Sequence, residues 1–345
     1  MTPAGRRSST RPAKRRTAQR REASARDVWT AWEALHEKPP ATLYHYTTAD
    51  GLIGILQSRQ IWATNVRFMN DTSELAYGIR MVRAIFDEVG RQAADRGIRQ
   101  ARLFGFVSEG IVAMLDDAER NTKHYAVSFC GNGNLLSQWR GYGQAGGGFA
   151  LGIASSALRN FEAEILPNPP VDPALLGVFL RKVIYEPQVQ QQLVRGWVAF
   201  LVRWLDSRRA SSDDTPEALW ASEEANAVAR LLYEALVCFK HPGFAEEEEW
   251  RLIQQGRIGR QDVCKVTFRA RSGRIVSFSP LTFRSTAGQR GNGESPRNDF
   301  PLSAVTFGPT LDGEAAERAL RLLLESLGFD AGQVQIDPSG IPFAT

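Results

Sequence analysis

A short run near the start of the chain, Leu43 to Thr47, combines a histidine with hydroxyl-bearing neighbours. The run predicts a β-strand, and strand alternation places His45 and Thr47 on one face and Tyr44 and Tyr46 on the other. A histidine beside a hydroxyl could hold a ribose or a phosphate. The same residues could instead form a half-buried strand whose histidine is satisfied by hydrogen bonds within the protein.

A second group of useful side chains precedes a run of glycines at residues 146–148. The group contains Ser137, Trp139, Arg140 and Tyr142. An aromatic ring and a guanidinium between glycines suit a ligand that has a planar ring and phosphates. Glycine also lets a backbone approach such a ligand closely. The alternative is a tight loop that is anchored by a buried tryptophan.

Four consecutive glutamates, residues 246–249, stand directly before Trp250 and Arg251. Such a run usually forms a solvated turn. Here it meets a predicted strand, whose alternation places Glu247, Glu249 and Arg251 on one face and Trp250 on the other. A carboxylate at a strand start that faces a cleft can hold a ribose hydroxyl or stabilise developing positive charge.

Asn70, Asp71 and Glu74 have the spacing of a capping box at the start of a helix, and this structural role is sufficient for them. Other catalytic motifs are missing from the sequence: it has no P-loop, no dinucleotide-binding GxGxxG after a strand, no GxSxG and no HExxH. The four histidines and three cysteines lack zinc-ligand spacing, so no metal is predicted. Three distant cysteines also argue against disulfides and for a reducing cytoplasm.

The basic residues of the chain are concentrated at its start. Residues 1–26 hold nine Lys or Arg and one acid, which leaves 33 basic and 37 acidic residues, a net charge of −4, in the rest. This segment has almost no large apolar side chain, so we predict a disordered basic arm. The arm could bind nucleic acid by neutralising phosphates, or it could be a solubilising tail. No apolar run reaches the ~18–20 residues of a membrane span, so no membrane partner is predicted.

Helices and strands are mixed along the rest of the chain. Strands are predicted at residues 42–47, 125–130, 149–153, 182–186, 249–253, 262–269, 275–278, 304–308 and 334–337. Two long helices are predicted at about 188–206 and 216–238. Because strands occur on both sides of these helices, we predict a single α+β domain over residues 27–345 with a helical insertion at about 188–238.

A set of short motifs resembles, in order, a widespread bacterial family of uncharacterised domains, domain of unknown function 2971. The resemblance covers about Leu43 to Phe343, nearly everything but the arm. The motifs are Leu43-Tyr44-His45-Tyr46-Thr47, Trp62-x-x-Asn65, Asn70-Asp71-x-x-Glu74, Ser137-x-Trp139-x-x-Tyr142-Gly143, Phe239-Lys240-x-x-x-Phe244, Glu247-x-Glu249-Trp250-Arg251, Gly308-Pro309 and Ile341-Pro342-Phe343. The family carries no settled activity.

The opening strand and helix are also similar to those of ADP-ribosyltransferases of the His-Tyr-Glu type. This looser resemblance implies a split antiparallel or mixed β-sheet core of ADP-ribosyltransferase-like type, and NAD as a substrate. It implies that His45 contacts the NAD ribose and that Glu249, with Glu247 before it, holds a ribose hydroxyl in an oxocarbenium-like transition state. Trp139 and Tyr142 are the candidates for the aromatic residue that stacks on nicotinamide, and Arg140 is expected to meet a phosphate.

From these residues and resemblances we predict an enzyme that transfers ADP-ribose from NAD to a macromolecular acceptor, nucleic acid or protein, as a toxin or phage-defence effector would. Tyr44, His45, Thr47, Ser137, Trp139, Arg140, Tyr142 and Glu247 are the predicted binding residues, with His45 and Glu249 catalytic. Glu249→Ala is expected to abolish turnover and leave the fold intact. The alternative is a non-catalytic module that binds a nucleotide or a modified nucleic acid. In a third hypothesis the clusters are structural and the arm carries the function.

Overall fold

The computed structural model describes most of the chain beyond residue 24. The described residues are 25–69, 73–95, 98–121, 123–143, 145–169, 177–207, 223–258, 261–271, 273–284 and 300–343. The predicted arm lies outside them, except for its last two residues, which begin the first helix. Asn70 and Asp71 of the predicted capping box also lie outside the described residues.

The helices follow the predicted spacing of apolar residues, and several begin at a capping side chain. Thr48, for example, accepts a hydrogen bond from the amide of Gly51, and Asp312 accepts one from that of Ala315. The helices are α1 Ala25–Ala34, α2 Ala49–Ser58, α3 Ser73–Ala94, α4 Ile98–Asn121, α5 Leu136–Gly141, α6 Ser155–Leu158, α7 Pro187–Ser207, α8 Glu223–Cys238 and α9 Gly313–Ser326, with 3₁₀ turns at Val66–Phe68 and Pro242–Glu247.

β-branched and aromatic residues, which favour extended backbone, are frequent in the strands. The strands are β1 Thr42–Thr47, β2 Gln60–Asn65, β3 His124–Cys130, β4 Phe149–Ala154, β5 Phe161–Ala163, β6 Val178–Lys182, β7 Glu249–Gln255, β8 Arg257–Ile258, β9 Gln261–Asp262, β10 Thr267–Arg271, β11 Arg274–Phe283, β12 Leu302–Phe307 and β13 Gln335–Pro338.

Two predicted strands are placed differently by the structure. The strand predicted at residues 182–186 lies at Val178–Lys182, because Pro187 begins a helix and only an isolated bridge from Ile184 to Phe239 remains between them. The strand predicted at residues 262–269 is interrupted: Cys264 forms an isolated bridge with Ile165, and β10 begins three residues later.

Most strands join one mixed sheet, so the protein has an α+β fold. The order of strands along its main path is β10-β11-β2-β3-β1-β4-β12-β13. Beside this path, β5 pairs with β11, β7 pairs with β3, and β6 pairs with β7. The pairs are antiparallel except β12 with β13, which is parallel. The short strands β8 and β9 pair with each other.

The sheet divides at β3. Along its whole length β3 pairs with β7, from His124 opposite Gln255 to Cys130 opposite Glu249. β2 pairs with β3 only at Tyr125 and Ala126, and β1 pairs with it only at Cys130. Because β1 and β2 therefore separate from the middle of β3, a gap opens in the sheet beside residues 127–129.

In the described part of the chain, two large hydrophobic cores and a small third one around Trp139 lie against the sheet. One large core is formed mainly by α1, α3, α4, α7 and α8, which pack on one another, and it includes Trp32, Trp197 and Ile253. The other large core contains residues of α2 and α9 together with many strands. The predicted insertion, α7 and α8, thus shares its core with helices from earlier in the chain. Within the described residues, no helix is long and apolar enough to cross a membrane.

Candidate functional site

His45 lies in the gap where β1 leaves β3. Its Nδ1 atom is 2.9 Å from the carbonyl oxygen of Ser128, which makes Nδ1 the protonated nitrogen of a neutral ring. Burial lowers the pKa of His45 to about 4, and the charges of Arg269 and Arg271 act in the same direction against the opposing hydrogen bond to Ser128. The neutral ring leaves Nε2 as an acceptor for a hydroxyl group of a ligand.

The loop around α5 buries its tryptophan. Trp139 is 0% exposed, packs edge-on against Tyr46 and donates from Nε1 to Asn134 Oδ1 at 2.9 Å. Arg140 is exposed, with its guanidinium 5.7 Å from the ring centroid of Phe343. Neither residue lines the cleft, so Trp139 has the anchoring position that was the alternative for this loop.

The glycines after α5 serve contacts within the protein. A Cβ atom on Gly148 would lie 2.6 Å from both the Cα of Gly143 and the carbonyl oxygen of Thr47. Gly146 has a φ of 96°, which other residues rarely adopt. These glycines therefore let the loop pack on the end of β1. The close approach of these glycines to a ligand stays a prediction.

Glu249 is the centre of a buried cluster of charged side chains. It is 4% exposed, and both its oxygens accept from Arg251, at 2.7 Å from Nε and 2.8 Å from Nη2. Lys240 Nζ lies 3.1 Å from Glu249 Oε2. Burial opposes ionisation, but Arg251 and then Lys240 outweigh it and, with a hydrogen bond from Ser128, lower the pKa of Glu249 to about 2. The carboxylate is therefore ionised at neutral pH.

Two further carboxylates complete this charged cluster, defined as Glu74, Lys240, Glu247, Glu249 and Arg251. Glu74 accepts from Arg251 Nη2 at 2.7 Å and lies 3.2 Å from Lys240 Nζ. Glu247 Oε2 lies 2.7 Å from Lys240 Nζ. Burial raises the pKa of Glu247 against the effect of Lys240. With all five groups ionised the charged cluster has a formal charge of −1.

Arg269 on β10 lies in a different environment on the opposite side of the cleft. Its guanidinium lies 5.1 Å from the ring centroid of Trp62 and 5.4 Å from that of Phe278, and Nη2 donates to Thr64 Oγ1 at 2.8 Å. Its Nε atom is buried without a hydrogen-bond partner among the described residues. Burial, and then the charge of Arg271, lower the pKa of Arg269 to about 10. The side chain remains a cation at neutral pH.

The cleft between these groups has a volume of about 840 Å³, within the range of small-molecule sites. Of the residues predicted to bind or react, it brings together Tyr44, His45, Thr47, Tyr142, Glu247 and Glu249. Burial raises the pKa of Tyr142 to about 12. Ser137, Trp139 and Arg140 do not line the cleft, and Ser137 Oγ is buried without a hydrogen-bond partner in the described part of the chain.

Sequence reasoning missed several residues of the cleft. Lys240 and Arg269 were not singled out as site residues, and Glu74 was assigned only a capping role. The alternation of β7 did predict correctly that Arg251 and Glu249 share a face. A signal for Arg269 was available, because β10 carries two arginines at strand spacing and no acid. Within the described residues, no group of three or more His, Cys, Asp or Glu could hold a metal ion.

The model of one known protein family matches part of the chain. The model of a family described as "Protein of unknown function (DUF2971)" matches residues 138–252, a third of the chain. The matched region runs from α5 to β7 and includes Tyr142, Lys240 and Glu249. It supports the predicted resemblance to an uncharacterised domain family. No curated protein and no solved structure matches the chain.

Proposed function

We propose that the protein is an NAD-dependent ADP-ribosyltransferase-like enzyme that acts on a macromolecule. The observation that carries the proposal is the pairing across the divided sheet: His45 occupies the gap beside β3, and ionised Glu249 lies on β7, the strand that pairs with the other edge of β3. Cys130 pairs with Tyr44 of β1 on one edge of β3 and with Glu249 of β7 on the other, so at this point two strand spacings of about 4.8 Å separate the backbones of β1 and β7. A sugar could lie between these side chains.

His45 and Glu249 would have different roles in this reaction. Neutral His45 would accept a hydrogen bond from a ribose hydroxyl through Nε2 and so orient the sugar. The bond between ribose C1 and the nicotinamide nitrogen breaks, and its electron pair leaves with nicotinamide. A bond then forms between C1 and a nucleophile of the acceptor, which releases its proton. The charged cluster, at a formal charge of −1, would stabilise the positive charge that develops on the sugar.

The decisive test is nicotinamide release from NAD by wild-type protein and by Glu249→Gln. The structure alters the expectation for Glu249→Ala, because that change would leave buried Arg251 and Lys240 without a main partner and destabilise the fold. Glutamine keeps the shape and an oxygen acceptor but removes the charge. We expect Glu249→Gln to slow release about 10²–10³-fold. Exposed Glu314→Gln, on α9, is the control and should release nicotinamide at the wild-type rate.

Release should be measured with and without added DNA, RNA and cell lysate. Dependence on one of these pools would identify the acceptor class. A variant that lacks residues 1–26 tests whether the basic arm holds a nucleic-acid acceptor, because its loss would then weaken the dependence on that pool. A folded Glu249→Gln protein with wild-type release would disprove the catalytic role.

A second candidate function is favoured by the hydrogen bonds of Glu249. Both of its oxygens already accept from Arg251, and Lys240 also binds one of them, as in a structural ion cluster. The same cleft could then bind a nucleotide or modified nucleic acid as a sensor without chemistry. Stoichiometric NAD binding without nicotinamide release under any of the conditions above would favour this function.

A further inference from the structure

We propose that Arg269, with Arg271 beside it, forms a subsite for a phosphoryl group at the β10 side of the cleft. This inference deepens the proposed function by naming the anionic part of the ligand and its place. It also applies to the sensor, because it requires binding and no reaction.

The fold leaves Arg269 without the carboxylate partners that other buried arginines receive. Arg251 contacts the carboxylates of Glu74 and Glu249, and Arg181 contacts those of Glu33 and Glu234. Within the described residues, Arg269 is in no ion pair, and its one hydrogen bond is to Thr64. A guanidinium has five N–H donors, so most of its donors stay available.

Aromatic side chains fix the guanidinium of Arg269 in the cleft. The rings of Trp62 and Phe278 hold the guanidinium, each at a distance typical of a cation–π contact. Strand alternation places Arg269 and Arg271 on one face of β10, and both line the cleft. A phosphoryl group offers several acceptor oxygens that match the fork of a guanidinium.

The two sides of the cleft carry charges of opposite sign. The charged cluster, with its excess of one acid, lies on one side, and the two arginines of β10 lie on the other. A ligand with an anionic group at one end and a neutral or cationic group at the other would be oriented by this arrangement. The phosphoryl group could belong to the pyrophosphate of a dinucleotide or to the phosphodiester backbone of a nucleic acid.

Calorimetric titration of the full chain at fixed ionic strength tests the subsite. The probes are inorganic pyrophosphate, ADP-ribose and a 5′-phosphorylated single-stranded oligonucleotide, with phosphate-free nicotinamide riboside as the reference. We expect Arg269→Gln to weaken the phosphorylated probes about ten- to hundredfold, as expected for loss of charge-assisted hydrogen bonds. Arg269→Lys should be intermediate. Arg318→Gln, which removes the same charge from an exposed site on α9, should bind as wild type does.

A measurement on the wild-type protein tests the subsite without relying on a variant that must fold. Phenylglyoxal modifies accessible arginines, and mass spectrometry can follow Arg269. We expect pyrophosphate to slow its modification, whereas sodium chloride at equal ionic strength does not. Unchanged modification, or wild-type affinity of folded Arg269→Gln for every phosphorylated probe, would overturn the subsite.

The outcomes separate the sources of the phosphoryl group and the two proposals. A loss confined to ADP-ribose and pyrophosphate would indicate a dinucleotide, and a loss confined to the oligonucleotide would indicate nucleic acid. Arg269-dependent binding without nicotinamide release would support the subsite and disprove the transferase activity. If nicotinamide is released and the Arg269 variants bind the probes as wild type does, the transferase proposal would be supported and the subsite disproved.

Discussion

Arg251 and Arg269 are two cations on opposite sides of one cleft, and they differ in their partners and in the direction of their pKa shifts. Arg251 is 2% exposed and donates to Glu249, to Glu74 and to the carbonyl oxygen of Val237. Nearby carboxylates raise its pKa further despite burial. Arg269 has aromatic rings and one hydroxyl around it, and burial lowers its pKa to about 10.

The difference separates a cation that holds the fold together from one that is available to a ligand. The charged cluster around Arg251 links α3, β7 and the segment after α8. The donors of Arg251 are therefore occupied by groups of the protein. Among the described residues, the side chain of Arg269 makes one hydrogen bond to another element, to Thr64 on β2. If this distinction is correct, a change at Arg251 should affect stability most and a change at Arg269 should affect binding most.

The largest effect is expected for Arg251→Met. Removing one partner of a buried ion pair leaves the other charges without compensation, here Glu249 and Glu74, and typically costs about 3–5 kcal/mol in the free energy of unfolding. Urea denaturation of the variant and of the wild type measures it. Arg318→Gln should stay within about 0.5 kcal/mol of wild type. A loss below about 1 kcal/mol for Arg251→Met would contradict the structural role.

The next effect is a loss of stability as the pH falls, and the protonation of histidines in the unfolded chain causes its first part. The pKa values of His45, about 4, and of His36 and His124, about 3, lie below the ordinary 6.5, mainly because of burial. Below pH 6.5 the unfolded chain therefore binds more protons, and the free energy of unfolding falls by at most about 1.4 kcal/mol per pH unit for each histidine. Glu249, with its pKa of about 2, adds a loss between pH 4.5 and 2.

Denaturation curves between pH 7 and 4 check this prediction. We expect the slope to be visible already between pH 6.5 and 5, above the range in which carboxylates titrate. His45→Asn should reduce the slope, because one neutral buried histidine is removed. Constant stability down to pH 4.5 would show that these histidines are not buried in neutral form.

The smallest effects are expected for Arg269→Gln in the absence of ligand. The variant loses cation–π contacts and one hydrogen bond but also a buried unsatisfied donor, so its stability should lie within about 1 kcal/mol of wild type. NMR titration should show that the pKa of His45 rises but stays below its ordinary value, because burial is the larger cause of its shift. A much larger loss of stability would make Arg269 a structural residue like Arg251.

The sequence predicted much of the fold, because alternation and helical periodicity are local. The strand around His45, the strand after Glu249 and the first of the two helices before it were predicted at nearly their observed positions. The second helix was predicted at residues 216–238 and lies at Glu223–Cys238; residues 216–222 are outside the described part of the chain. The strand at β6 was misplaced by several residues, because the run that follows it is just as apolar.

The candidate site was harder to predict, because its contacts connect distant parts of the chain. Glu74 fits a helix cap by local spacing, yet its carboxylate binds Arg251, 177 residues away. Trp139 has the composition of a ligand platform, and only packing against Tyr46 shows that it is buried. Alternation assigns a side chain to a face of a strand, but it does not identify what lies across from it.

The division of the sheet at β3 has a consequence for the newly made chain. A ribosome delivers β1, β2 and β3 first, and β7, the only strand that pairs with β3 along its length among the described residues, follows more than a hundred residues later. Until then Glu74 lacks its partner Arg251, and the side of the cleft that carries Arg269 is made later still. The chain thus completes its binding site late in its synthesis, when β7 and then β10 have been made and most of the chain already exists.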